Sequence, residues 1–330
     1  MDRVSLAKEE KTVKFFSSGS TLLDLALGGG WAVGRIFNIV GDKSVGKTGN
    51  AIEAFANFAR KFPKGRMRYA EAEAAFDNSF AGQLGFPDEV EKPEENISTV
   101  EGFTDDLYEF AEKGGPSLYI LDSLDALSDD FEVQRFKDRR EGKTEKGSMG
   151  AQKAKEMSEL FRLLARDIGK WDCTLGIVSQ IRDNIGVTFG DHHTRSGGHA
   201  LDFYSTHCLW LHNRGNIEKT IRGQKVAVGT SIFAKVKKNK VGWPFKTADY
   251  DYMFGFGIDD EMAMLDWLKE YKEYVEEHYK DVKKKLDHAR EVKEWDTLDE
   301  IKEQLKQDTI RVWSEVQKKA EFPIQKYSRE

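Results

Sequence analysis

The ten residues Ile39-Val40-Gly41-Asp42-Lys43-Ser44-Val45-Gly46-Lys47-Thr48 constrain this chain more than any other stretch. The apolar strand Gly34 to Val40 runs into the spacing G-x-x-x-x-G-K-[ST]. Such a loop turns successive backbone N–H groups inward at a helix N-terminus, where the helix dipole also favours an anion. Gly41, Asp42, Lys43, Ser44, Val45 and Gly46 then form a phosphate cradle, Lys47 reaches the β- and γ-phosphates, and the Thr48 hydroxyl is a magnesium ligand. The bland alternative is a glycine-rich turn with an incidental lysine. Gly49-Asn50 is an odd start to the next helix, since both residues have poor helix propensity, so the run Ala51 to Ala59 must carry it.

With 330 residues, 39% of them hydrophobic and only six prolines, the chain can build one large α/β core plus an appended element. The net charge of −6 argues against nucleic acid only until its distribution is read. Residues 259–330 carry 15 Lys and Arg against 20 Asp and Glu, so five of the six excess negative charges sit there. Cys173 and Cys208 lie in separate apolar runs, which implies a reducing compartment with neither a disulfide framework nor a zinc site. No apolar run reaches 18 residues, and Met1 to Lys14 is charged. The expectation is a cytoplasmic protein with no membrane partner and no signal peptide.

In open α/β sheets ligands bind at the carboxyl ends of strands, so acids there are placed for chemistry. Arg66 to Ala70 reads as a strand ending at Glu71-Ala72-Glu73, which makes Glu73 a candidate general base; a solvated acidic turn is the alternative. Pro116 to Asp122 is a buried strand ending in an acid, the pattern of a second magnesium-organising carboxylate. Around these, the pattern predicts a short helix over Leu22–Leu27 closed by Gly28. A strand is expected over Ile97–Val100, a helix over Thr104–Lys113, a helix over Ala151–Gly169 and a strand over Cys173–Gln180. Asp129 to Ser148 is a long basic connection, functional or merely solvated. Ile181 to Leu201 mixes basic, apolar and glycine residues without a period, as a loop approaching bases and phosphates would. Strands follow over Thr206–His212, Gly229–Lys237 and Phe245–Tyr250. From Asp260 onward the spacing of Leu265, Leu268, Tyr271, Val275, Tyr279, Val282 and Leu286, then Leu298 to Val316, is helical.

From about Ser17 to Ile258 the chain resembles the bacterial RecA family of ATP-dependent DNA strand-exchange recombinases. The likeness rests on Ser18-Gly19-Ser20, Leu23 to Gly28, Glu71-Ala72-Glu73 with Ala75-Phe76-Asp77, and Leu121-Asp122-Ser123. It continues through Gln180-Ile181-Arg182, Ile185-Gly186-Val187, Phe189-Gly190, Gly197-Gly198, and Lys238-Asn239-Lys240 with Pro244-Phe245-Lys246. The resemblance implies an α/β fold: a RecA-like P-loop ATPase core over 17–258 with a central, mostly parallel twisted sheet. A short arm over 1–16 would precede it and an acidic α-helical appendage over 259–330 would follow.

It also implies ATP and Mg2+ as cofactors, single-stranded DNA and homologous duplex as partners, and a homo-oligomeric helical filament with ATP at the subunit interface. By position, Glu73 would activate water, Thr48 and Asp122 would organise magnesium, and Asp77 and Phe80 would contact adenine. Gln180 would sense the γ-phosphate, and Lys238 and Lys240 would reach the neighbouring subunit's ATP. DNA would meet Met149, Gly150, Lys155 and Arg162 at a first loop, and Arg182, Ile185, Phe189, Gly197, Gly198 and His199 at a second. The departures are a reduced N-terminal arm, a longer and more basic first loop, Asp183-Asn184 in the second loop, Ser179 before Gln180 and an unmatched tail. They fit a divergent member, a viral one included. The competing function is a RecA-like ATPase without strand exchange, either a ring translocase or a recombination mediator.

Overall fold

In the computed structural model, the described residues are 13–73, 78–128, 140, 151–183, 193–194 and 198–321. In chain order, β1 (Phe15–Phe16) leads to α1 (Thr21–Leu27), β2 (Trp31–Ala32), β3 (Ile36–Gly41), α2 (Lys47–Lys61) and β4 (Arg66–Glu71). Then come α3 (Asn78–Gln83), α4 (Val100–Glu112), β5 (Ser117–Asp122), α5 (Ala151–Asp167), β6 (Cys173–Gln180), β7 (Arg182–Asp183), β8 (His193–Thr194) and α6 (Gly198–Tyr204). The chain continues with β9 (His207–Ile221), β10 (Gln224–Asn239), β11 (Thr247–Met253), β12 (Gly257–Ile258), α7 (Asp260–Glu270), α8 (Glu276–Val292) and α9 (Trp295–Ala320).

Eight strands form the central sheet in the order β12-β11-β10-β9-β3-β6-β5-β4. The pairings from β9 through β4 are parallel, and those from β9 outward to β12 are antiparallel. The parallel strands are apolar on both faces because helices cover both. Phe37, Ile39, Leu118, Ile120 and Val178 turn to the side of α1 and α2, while Ile36, Tyr119, Leu121, Leu175 and Ile177 meet α4 and α5. Alternate residues thus feed two cores, the period a strand dictates. This arrangement sets the carboxyl ends of β3, β4, β5 and β6 side by side, where the site lies.

Several expectations are corrected. The segment Ile97–Val100 is not a strand: Thr99 makes one bridge to Ser128 and its side chain accepts from Gly102 N–H, which starts α4 at Val100 instead of Thr104. The strands expected over Thr206–His212 and Gly229–Lys237 are the inner halves of a long ribbon, closed by Arg222 (φ 50°) and Gly223 (φ 81°). Two residues with positive φ suit a tight hairpin of this twist. The helical spacing from Leu265 to Leu286 is interrupted where Lys272 enters the left-handed region (φ 57°), separating α7 from α8.

The last three helices share their own apolar cluster of Met264, Leu265, Leu268, Tyr274, Leu305 and Val312. They are fastened to the core by polar contacts. Asp260 accepts from Thr21 N–H at 2.6 Å and from its hydroxyl at 2.8 Å, and Arg290 forks onto Asp259 at 2.6 and 2.9 Å. Among the described residues no helix is long and apolar enough to cross a membrane. Cys173 and Cys208 are buried in β6 and β9 and are not joined by a disulfide.

Candidate functional site

Between β3 and α2 the loop bends through Ser44 (φ 56°) and Gly46 (φ 81°), and α2 begins at Lys47 with no side chain capping it. A helix start leaves backbone N–H groups without intrahelical partners, and here they open onto a cavity of about 730 Å³. Lys47 sends Nζ to the carbonyl of Asp42 at 2.6 Å. Burial pulls its pKa down, opposed by the negative charges of Asp122, Glu73, Asp42 and Asp125. An ammonium losing water in this way gains from an added anion.

At the end of β5, Asp122 is only 6% exposed, and its Oδ2 accepts from the Thr48 hydroxyl at 2.7 Å and the Tyr69 hydroxyl at 3.0 Å. Burial raises the Asp122 pKa, and those two donors oppose the rise. A buried acid beside a threonine hydroxyl is a donor set for a hard cation. Just past the end of β4, the Glu73 Oε1 atom accepts from Ser123 Oγ at 2.5 Å and from Gln180 Nε2 at 2.6 Å. Residues from three strand ends and the start of α2 therefore converge on one cavity: Lys47 and Thr48 at its floor, Asp122, Glu73 and Gln180 at one end.

The opposite end is built by the antiparallel edge, from Asn213, Asn216, Thr230, Ile232, Tyr252 and Phe254. None of these was singled out from the sequence. Phe254 is 54% exposed, so its ring offers a face to a flat ligand. This edge also explains the odd Gly49-Asn50. The Tyr252 ring lies so close that a Cβ at position 49 would stand 2.5 Å from it, and the Tyr250 hydroxyl donates to Asn50 Oδ1 at 2.8 Å. Asn50 in turn donates to the Gly46 carbonyl at 2.9 Å. Two tyrosines of β11 thus fix the first turn of α2, overriding its weak propensity.

Lys238 and Lys240 do not line this cavity. Lys238 Nζ donates to the carbonyls of Asp202 and Phe203, and Lys240 Nζ to those of Phe203 at 2.9 Å and Tyr204 at 3.4 Å. Both ammonium groups thereby satisfy the C-terminal carbonyls of α6, the position a helix dipole favours for cations. Burial lowers the Lys240 pKa. Near them Leu27 O accepts from Asn239 Nδ2 at 2.8 Å and contacts His207 Nε2 at 3.2 Å.

Of the residues assigned to DNA, Lys155 and Arg162 are exposed on α5, and Arg162 lies 3.8 Å from Glu159. Gly198 and His199 open α6, and Arg182 lies in β7. Met149, Gly150, Ile185, Phe189 and Gly197 lie outside the described residues, as does Asp77; Phe80 is placed only as part of the α3 backbone. Sequence reasoning did not assign roles to Ser123 or Asp125, which are brought to Glu73 and Gln180 by the turn after β5.

Residues 3–259 match the RecA N-terminal domain family. Among curated relatives, Protein RecA of Rickettsia canadensis is 36% identical over 258 residues, covering 77% of this chain and 70% of that protein. Protein RecA of Delftia acidovorans is 36% identical over 262 residues, covering 77% of this chain and 65% of that protein. That of Prochlorococcus marinus (strain NATL1A) is 35% identical over 261 residues, covering 78% and 64%. The chain thus spans about two thirds of the relatives it matches, and the matched part holds the phosphate loop, the strand-end acids and the lysine pair. The chain belongs to the RecA family.

Proposed function

We propose that this protein is a DNA-dependent ATPase that assembles on single-stranded DNA and exchanges strands with a homologous duplex. The observation that carries the reading is the junction at Glu73 Oε1. One carboxylate oxygen is held at 2.5 and 2.6 Å by Ser123 and Gln180, beside the Asp122–Thr48 pair and above the phosphate loop. Similarity to proteins named RecA adds to it.

The residues present fit ATP with magnesium. The loop N–H groups and Lys47 would hold the phosphates, Thr48 and Asp122 the metal, and Phe254 the base by stacking. When bound, the metal would neutralise charge that develops on the phosphates. Glu73 would orient and deprotonate the attacking water, and Gln180 would tie the position of Glu73 to the chain leaving β6. Lys238 and Lys240 would exchange the carbonyls of α6 for a neighbouring copy's nucleotide. Carbonyls are weak partners for two ammonium groups, so a phosphate can compete for them. Such a trans cation stabilises developing charge and makes turnover depend on assembly.

Strand exchange assayed with purified protein, ATP or a non-hydrolysable analogue, and homologous or unrelated duplex tests this reading. Homology-dependent product supports it. ATP hydrolysis with closed rings in negative stain and no exchanged strand favours a translocase or mediator.

A further inference from the structure

Gln180 ends β6 and needs an acceptor for its backbone N–H. Ile181 N–H donates to Gly41 O on the β3 side, and N–H groups alternate along a strand, so that of Gln180 faces β5. There the β5–β6 register has already stopped at Leu121–Ile177. After Asp122 the chain turns through a short 3-10 helix, Leu124–Ala126, and Asp125 Oδ2 accepts the Gln180 N–H at 2.6 Å. A side-chain oxygen takes the place of a strand carbonyl and extends the sheet by one rung.

The contacts close into a circuit. Asp125 holds the Gln180 backbone, Gln180 Nε2 holds Glu73, and Ser123, two residues before Asp125, holds the same Glu73 oxygen. Two segments leave it: residues 129–150 begin just beyond Asp125 and Ser128, and residues 184–192 just beyond Gln180 and Asp183. Of the residues that the resemblance assigns to DNA, Met149 and Gly150 fall in the first segment, and Ile185 and Phe189 in the second.

We propose that Asp125 is a positioning residue that joins both nucleic-acid loops to the water-activating Glu73. This rests on the ATPase reading above. A displacement of either loop root rotates the Gln180 backbone, and the amide that holds Glu73 turns with it.

The test compares Asp125→Ala and Asp125→Asn in the full chain. Asparagine keeps an oxygen acceptor and removes the charge that also bears on Lys47. Without nucleotide, amide hydrogen exchange at Gln180 should accelerate about ten-fold or more in Asp125→Ala and stay near wild type in Asp125→Asn, with exchange in β3 as the fold control. With ATP, stimulation of turnover by single-stranded DNA should fall about ten-fold in Asp125→Ala, the size of a typical coupling, and ADP affinity measured by calorimetry should stay within about two-fold. Wild-type exchange or stimulation in Asp125→Ala overturns the proposal. Equal impairment of both variants also overturns it, since the charge would then matter and not the hydrogen bond. A wild-type protein that shows no DNA-stimulated turnover defeats the ATPase reading, while the exchange experiment still decides whether the latch exists.

Discussion

At the β4–β6 end of the cavity, Asp122, Glu73 and Gln180 are each held by two polar partners from different segments of the chain. At the β9–β11 side Thr230, Ile232 and Tyr252 are buried, but Phe254 is 54% exposed, and Lys238 and Lys240 are docked on α6 away from the cavity. Asp122 and Glu73 are thus satisfied within one chain, while the lysine pair rests on backbone carbonyls. Parallel strands covered by helices give a rigid, prearranged acid cluster. The antiparallel edge carries groups whose hydrogen bonds can be exchanged for others.

The comparison breaks most visibly at Glu73. Glu73→Gln should lower turnover roughly 10³-fold with ADP binding retained, because the amide keeps the contact to Ser123 and loses basicity. Unchanged steady-state hydrolysis would remove Glu73 from its role. Replacing Lys238 and Lys240 together with alanine should cost DNA-stimulated turnover roughly 10²-fold, less than an arginine finger because the ammonium is a point charge. Equal loss of nucleotide binding would place the pair in its own protomer's site. Phe254→Ala should weaken ADP about ten-fold through lost stacking and leave pyrophosphate binding unaffected, as calorimetry with both ligands would show. An equal loss for both ligands would deny the base its place at that edge.

A separate readout, stability against pH, probes the anchor of β10. His207 is 1% exposed, and since a carbonyl can only accept, its Nε2 carries the proton toward Leu27 O. Burial pulls its pKa from 6.5 down to about 4. The folded state therefore binds fewer protons than the unfolded one below pH 6.5, and stability falls as pH drops from 6.5 toward 4. In His207→Gln the drop in unfolding free energy between pH 7 and pH 5 should shrink by roughly 2 kcal/mol. Asp24, raised by burial to about 6, acts in the opposite sense, its stabilisation being lost as pH rises toward 6. That contribution is common to both proteins and cancels in the difference. An unaltered pH profile in urea melts would deny His207 its neutral, buried state.

The parts of the site legible in the sequence are those written contiguously or at strand ends. Gly41 to Thr48 is a spacing, and Asp122 follows an unbroken apolar run. Ser123, Asp125, Tyr252 and Phe254 carry no such signal, because their positions follow from turns and from an antiparallel strand some two hundred residues away. The outer ribbon of β9 and β10 escaped notice for a related reason. Its residues are exposed on both faces, so no alternation marks them, and Arg222-Gly223 is not one of the dipeptides that announce a hairpin. Thr99 was misread because a β-branched residue in an apolar run looks like a strand until its hydroxyl is seen to cap α4.

In the proposed assembly one copy supplies the acids and the next supplies the cations. Glu73→Gln protein mixed with the Lys238→Ala, Lys240→Ala double variant on single-stranded DNA tests it most directly. If neighbours complete each other, an equal mixture regains roughly a quarter of wild-type ATP turnover, the fraction of interfaces at which an intact Glu73 meets an intact lysine pair. Turnover no greater than the mean of the two inactive variants would contradict it.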